Sequence, residues 1–270
     1  FPDGNAGVAR AFVKELIPNA IRGDTMEDLV KARVDYEALD LASNTNRIRL
    51  ESTVVDVRHS SKKQKVDVTY VFQGSVFRVR GRHVILACYN RIIPHLCSEI
   101  PKEQKEAINQ AVKVPLVYIN VAIRNWRAFE RLGYKGFRIP QPNLMHSLGM
   151  DFPVSMGGYE FTQNSDQPTV LHGVHVPCEP DSGLSSREQH VQGRRYLYSL
   201  SFKDFEDDIV SVMDGALGAG GFDPYRDIAG ITVNRWPHGY AYEYNDLYDP
   251  LDWSPDKGPH IKGAAQVGRI

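Results

Sequence analysis

The sequence predicts an α/β chain of mixed α+β character, and three patterns carry that expectation. Apolar residues recur at helical spacing in residues 5–17 and again in 186–217, while the period falls to two between residues 48 and 87. The longest apolar strip, Val114 to Ile123, is interrupted only by Asn120 and has the length of a strand rather than of a membrane span.

Val8, Phe12, Leu16 and Ile17 place a first amphipathic helix after Gly4 and Asn5, and Pro18 closes it. Residues Thr25 to Asp40 read as mixed helix and loop. Ile48, Leu50 and Thr53–Val57 form a first strand, Val66–Phe72 a second and Val76–Val79 a third. The break at Gln73-Gly74-Ser75 is turn-sized, so the second and third strands form an antiparallel hairpin. His83–Ala87 is short and almost wholly apolar, as a strand covered on both faces would be, and is expected to enter a larger sheet. A helix over Lys102–Val112, a strand over Leu116–Ile123 and a strand over Thr169–Val176 follow. Ser186 to Leu217 reads as one long helix or a helix pair ended by Gly218, Gly220 and Gly221, and Ile228–Val233 as the last clear strand.

At 270 residues the chain is large enough for one large or two ordinary domains with a sizeable core. A formal net charge of -1 gives no global field to attract nucleic acid. Three cysteines, an odd number, are not a disulfide framework. The opening Phe1-Pro2-Asp3-Gly4, without an initiator Met, leads us to expect the internal part of a longer protein.

The glycine-rich run Gly215–Gly221 follows a helical pattern instead of opening one, so it reads as a helix cap and not a nucleotide loop. His172 and His175 stand three apart in an extended segment and face opposite sides, which argues against a shared metal ion. Residues 231–245 are the richest in chemistry: Trp236 is followed by Tyr240, Tyr242 and Tyr244 at alternate positions, expected on one side of an extended segment. Such rings serve either as core packing or as a wall that stacks on a planar cofactor and flanks an amine by cation–π attraction.

Five segments together resemble the flavin-containing amine oxidase superfamily, and within it the bacterial FAD-dependent spermidine dehydrogenases. They are Phe1–Asn5 opening a helix, Arg47–Val57, His83–Asn90, Lys113-Val114-Pro115, and Asn234-Arg-Trp-Pro-His-Gly-Tyr240. The resemblance implies a two-domain fold, with residues 1–112 a partial FAD-binding domain, 113–230 a substrate domain built on a mixed sheet, and 231–270 a return to the FAD-binding domain. It implies FAD as cofactor, with Val54 at the adenine end, Trp236 beside the isoalloxazine, and Gly4, Asn5 and Asn90 as further cofactor contacts. Tyr240 or Tyr242 would form the aromatic wall beside the reacting amine. Distant ammonium groups of a polyamine need carboxylates, for which Glu160 and Glu243, and also Asp246, Asp249 and Asp252, are candidates. No catalytic base is identified.

Relatives carry a glycine-rich dinucleotide turn before this stretch and a cofactor-contacting segment after it, so those segments are the expected partners and the chain alone is expected to bind FAD poorly. The family also implies export to an oxidising compartment and, in some members, haem, although no Cys-x-x-Cys-His motif occurs. Two other readings stay open at this point: a flavin-dependent desaturase or other oxidoreductase of the same fold, with an apolar pocket lacking acids, and a non-enzymatic binding domain.

Overall fold

A computed structural model describes residues 3–140, 142–179 and 181–270, in two compact units: residues 1–82 with 153–161, and residues 83–152 with 162–270. Phe1 and Pro2, part of the opening motif, lie outside the described residues. The chain is mixed α/β, with a three-stranded and a five-stranded sheet.

In the first unit, α1 (Asn5–Leu16) follows Gly4, which adopts φ +65° at the N-cap. A shorter helix, α2 (Met26–Lys31), starts at Thr25, whose hydroxyl accepts from the Asp28 N–H while the Asp28 carboxylate accepts from the Thr25 N–H. Ile17, Ala20, Ile21, Ala38 and Leu39 bury a small core between them. Strands β1 (Thr53–His59), β2 (Val66–Phe72) and β3 (Ser75–Gly81) form an antiparallel meander. The β2–β3 turn holds Gln73 at φ 47° and Gly74 at φ 76°, two left-handed residues whose twist matches that of the strands they join. The predicted hairpin is present, but Ile48 and Leu50 stay outside the ladder.

The second unit begins with an extended segment, His83–Ala87, that belongs to neither sheet. A fully covered strand needs neighbours on both sides; here the Val84 N–H donates to the Arg269 carbonyl at 2.9 Å, and Ile85 is 90% exposed. The expected fourth strand is therefore corrected to an extended rim. Helices α3 (Ile93–Leu96) and α4 (Lys102–Asn109) follow, the latter ending short of Val112. Strand β4 (Val114–Ile123) leads to α5 (Arg127–Leu132), which Gly133 ends in the left-handed conformation at φ 74°.

Strands β5 (Gly136–Arg138), β6 (Ser147–Met150) and β7 (Thr169–His175) extend the sheet on one side of β4. The predicted helix pair is α6 (Ser186–Ser199) and α7 (Phe202–Leu217), each opened by a serine capping box, at Ser185 and at Ser201. The short α8 (Pro224–Asp227) delivers β8 (Ile228–Tyr240) to the other side of β4, and α9 (Pro259–Gly263) lies near the end. The strand order is β5-β6-β7-β4-β8 and, among the described residues, its ladders are antiparallel, where the resemblance implies a mixed sheet.

Val117, Ile119, Val121 and Ile123 of β4 bury one sheet face against Leu197, Phe205, Ile209 and Met213 of α6 and α7. Within that core the Asp208 carboxylate accepts from the Met145 N–H at 3.0 Å and from Asn143 Nδ2 at 3.2 Å, so the carboxylate is buried but paired. β8 runs well past Val233, where the sequence pattern stops. Pro237 cannot donate to a ladder, and it sits in a register shift where Val114 pairs with Tyr240 and Leu116 with Trp236. Arg194 spans that irregularity, donating to the carbonyls of Pro237 at 2.7 Å and Lys113 at 3.0 Å.

Candidate functional site

Strand alternation gives the sheet of the second unit a second face, which the helices of its core leave uncovered. Tyr118, Asn120 and Ala122 of β4 lie on it, opposite the buried row at 117, 119, 121 and 123, with Leu116 buried at one end of the same row as Tyr118. Cross-strand partners share a face, so His172 and Val174 of β7 join it, as do Thr232, Asn234 and Trp236 of β8 and Ser147 and Gly149 of β6. Tyr240 completes it beyond the register shift.

The aromatic part of this face is built from Tyr118, His172, Trp236 and Tyr240. Trp236 is 52% exposed and Tyr240 53%, so flat ring surface is available there. A hydrogen bond with Tyr240, with burial added, holds the Tyr118 phenol above its ordinary range, so it stays neutral at neutral pH. The rings of Tyr118 and His172 meet edge to face at 5.2 Å. Gly239 admits the turn beneath Trp236, because a Cβ there would lie 2.8 Å from Cβ of Leu116.

Beyond Tyr240 the chain leaves the sheet, and the three tyrosines do not share a side as their spacing predicts. Tyr242 turns to Asp249: its hydroxyl donates to that carboxylate at 2.7 Å, and the Arg187 guanidinium lies over its ring at 4.3 Å. Burial, reinforced by the bond to Asp249, pushes the Tyr242 phenol up to about 12. Burial also raises the Asp249 carboxyl. The hydrogen bonds from Tyr242 and the Asn245 N–H, with the Arg187 charge, outweigh it and keep the group below the usual carboxylate range. Arg187 also donates to Asp249 at 3.0 Å and to the Gln110 carbonyl at 3.0 Å. Arg187 and Tyr242 of this network also line a cavity of about 940 Å³, whose apolar wall includes Val84, Leu86, Ile93 and Ile108.

The predicted site residues fall into distinct places. Val54 is half-buried in β1, Gly4 and Asn5 open α1, and Glu160 is exposed, all in the first unit. Trp236 and Tyr240 share the open face of the second unit, Asn90 lines the cavity with Tyr242, and Glu243 is exposed just after β8. Asp246 is exposed in the same turn, Asp249 is consumed by the Arg187 network and Asp252 pairs with Lys257 at 2.6 Å. Alternation puts His172 on the open face and His175 in the core, as their spacing predicts. Tyr118, Asn120 and Thr232 share that face without having been singled out in the sequence. The signal was present in Asn120, a polar interruption two residues after a tyrosine in an otherwise apolar strand.

FAD is the cofactor that the resemblance implies, and the described residues fit its ring better than its diphosphate. Trp236 offers an exposed indole face for a planar ring. The N-terminus of α1, where an anion would be favoured, already holds Asp3: its Oδ1 is buried without a hydrogen-bond partner among the described residues. A Cβ on Gly7 would lie 2.4 Å from that oxygen. A diphosphate does not fit beside that carboxylate.

No family model and no curated protein matches the chain. Solved structures similar to it include a cofactor-binding redesign of putrescine oxidase, a double mutant, at 11% identity and a TM-score of 0.43, covering 67% of this chain and 33% of that one. Wild-type putrescine oxidase bound to putrescine is similar at 10% identity and a TM-score of 0.42, again over 67% and 33%. Cyclohexylamine oxidase from Brevibacterium oxydans is similar at 13% identity and a TM-score of 0.41, over 68% and 33%. The chain spans about a third of the length of these structures.

Proposed function

We propose that this chain is part of an FAD-dependent oxidoreductase of the flavin-containing amine oxidase superfamily, one that oxidises a C–N bond of an amine, with a polyamine such as spermidine as substrate. The observation that supports this reading most directly is the open sheet face. On it Trp236, to which the resemblance assigns a flavin contact, and Tyr240, one of the two tyrosines to which it assigns the amine wall, lie on one surface with Tyr118 and His172. FAD would supply the acceptor for a hydride equivalent from the carbon next to nitrogen.

The chain's own residues supply recognition. Exposed aromatic rings attract an ammonium by their quadrupole, worth about 0.5 to 2 kcal/mol per contact depending on desolvation. The face itself contributes no carboxylate among its described residues, but Glu243 and Asp246 stand exposed in the turn directly after Tyr240. A substrate with one amine on the aromatic face and a second, charged amine some carbons away matches that order. A monoamine satisfies only half of it, which favours the polyamine over the desaturase reading, whose pocket needs no acids.

The test is product analysis by mass spectrometry, using the intact gene product supplemented with FAD and a panel of triamines, diamines and monoamines of matched length. Cleavage to an aldehyde and a shorter amine, fastest for the triamine, is the expected result. Equal turnover of monoamines would remove the polyamine part of the reading, and no turnover of any amine would remove the rest.

A further inference from the structure

One row of residues runs in register across the five-stranded sheet: Thr232 of β8, Asn120 of β4, His172 of β7, Gly149 of β6 and Gly136 of β5. At one end the row is a hydrogen-bonded chain. Asn120 donates from Nδ2 to Thr232 Oγ1 at 3.2 Å, which turns its Oδ1 toward His172 Nδ1, also at 3.2 Å. An amide oxygen only accepts, so the proton between them is on His172 Nδ1. In the neutral ring that leaves the lone pair on Nε2, for which the described residues provide no partner.

At the other end the row has no side chains at all. Gly149 and Gly136 approach so closely that a Cβ on either would come within about 3.2 Å of the other's Cα. Tyr118 stands edge-on to the imidazole on its other flank. The histidine therefore stands between a stretch of sheet that carries no side chains and the edge of an aromatic ring. Around it the titratable and charged groups are few. β4 contributes the neutral Tyr118; β6 and β8 contribute none from Ser147, Gly149, Thr232 or Asn234; β5 contributes Arg138, one row away.

We propose that His172 is the proton acceptor for an ammonium group bound on this face, held by Asn120 and Thr232 with its proton on Nδ1 and its lone pair on Nε2. In the step, Nε2 takes a hydrogen from the ammonium and the electron pair of the broken N–H bond stays on the amine nitrogen. An imidazolium and a neutral amine result, and the positive charge moves with the proton. The role rests on the amine reading above, because only a neutral amine has the lone pair that imine formation draws on. Asn120 and Thr232 act through His172 and are positioning residues.

Two measurements test this. Nitrogen NMR of the chain labelled at histidine reads the tautomer without any cofactor: neutral His172 should carry its proton on Nδ1, and Asn120→Leu should abolish that preference. In the intact, FAD-loaded gene product, anaerobic stopped-flow reduction by the best amine is followed against pH. His172→Gln should slow reduction near neutral pH on the order of a hundredfold, with the deficit shrinking as the pH approaches the amine's own pKa, and Asn120→Leu should fall between. An Nε2–H tautomer in the wild type, or a His172→Gln profile parallel to wild type at every pH, overturns the role while leaving amine oxidation standing. Failure of every amine to reduce the wild-type flavin overturns both.

Discussion

His175, three residues from the proposed proton acceptor, shows what the same side chain does on the other face of its strand. It is 4% exposed, packs edge-on against His146 and Phe205, and neither ring nitrogen has a hydrogen-bond partner among the described residues. Burial, with the neighbouring His146 adding to it, lowers its pKa from the ordinary 6.5 to about 4. The folded state thus binds fewer protons than the unfolded chain between those values, so stability present above pH 6.5 drains away as the pH falls toward 4. The full effect is on the order of 3 kcal/mol. His175→Leu should flatten this acid limb in denaturant titrations at pH 7 and pH 5. It should also raise stability at pH 7 by about 1 kcal/mol, because it removes two unpaired buried nitrogens. An unchanged acid limb in the variant would exclude His175 as its source.

Among the elements, α6 holds a residue that local propensity disfavours. Gly193 lies in its interior, where glycine normally weakens a helix by up to about 1 kcal/mol relative to alanine. Here a Cβ would sit 2.0 Å from the Pro177 carbonyl oxygen, so the helix can pack on the segment after β7 only with glycine at that position. Gly193→Ala should therefore lower the melting temperature by several degrees despite its better helix propensity, and a rise would show that the contact yields. The caps behave in the ordinary way: Ser201→Ala removes the acceptor for the Asp204 N–H and should cost about 1 kcal/mol, seen as faster amide exchange in the first turn of α7.

The mixed α/β character of the whole molecule was legible from the two periodicities, and so were α1, the β2–β3 hairpin, β4 and β7. These elements are defined by helical spacing, by side-chain alternation or by a local turn such as Gln73-Gly74. Elements that depend on distant partners were not. His83–Ala87 has the composition of a covered strand but no ladder within the described residues. β8 continues past Val233 because Arg194 bridges the irregularity around Pro237, a long-range contact that no window of sequence contains. Of the candidate face, the 231–245 motif singled out Trp236 and Tyr240, whereas Tyr118, Asn120 and His172 join them only through strand register.

We propose that this open face presents an amine to a flavin, and anaerobic titration of the intact, FAD-loaded protein with spermidine tests that proposal. Bleaching of the flavin's visible absorbance in proportion to added amine, greatly slowed per bound flavin by Trp236→Ala, is the predicted result. A flavin that stays oxidised in the presence of spermidine and of every shorter amine would contradict the claim.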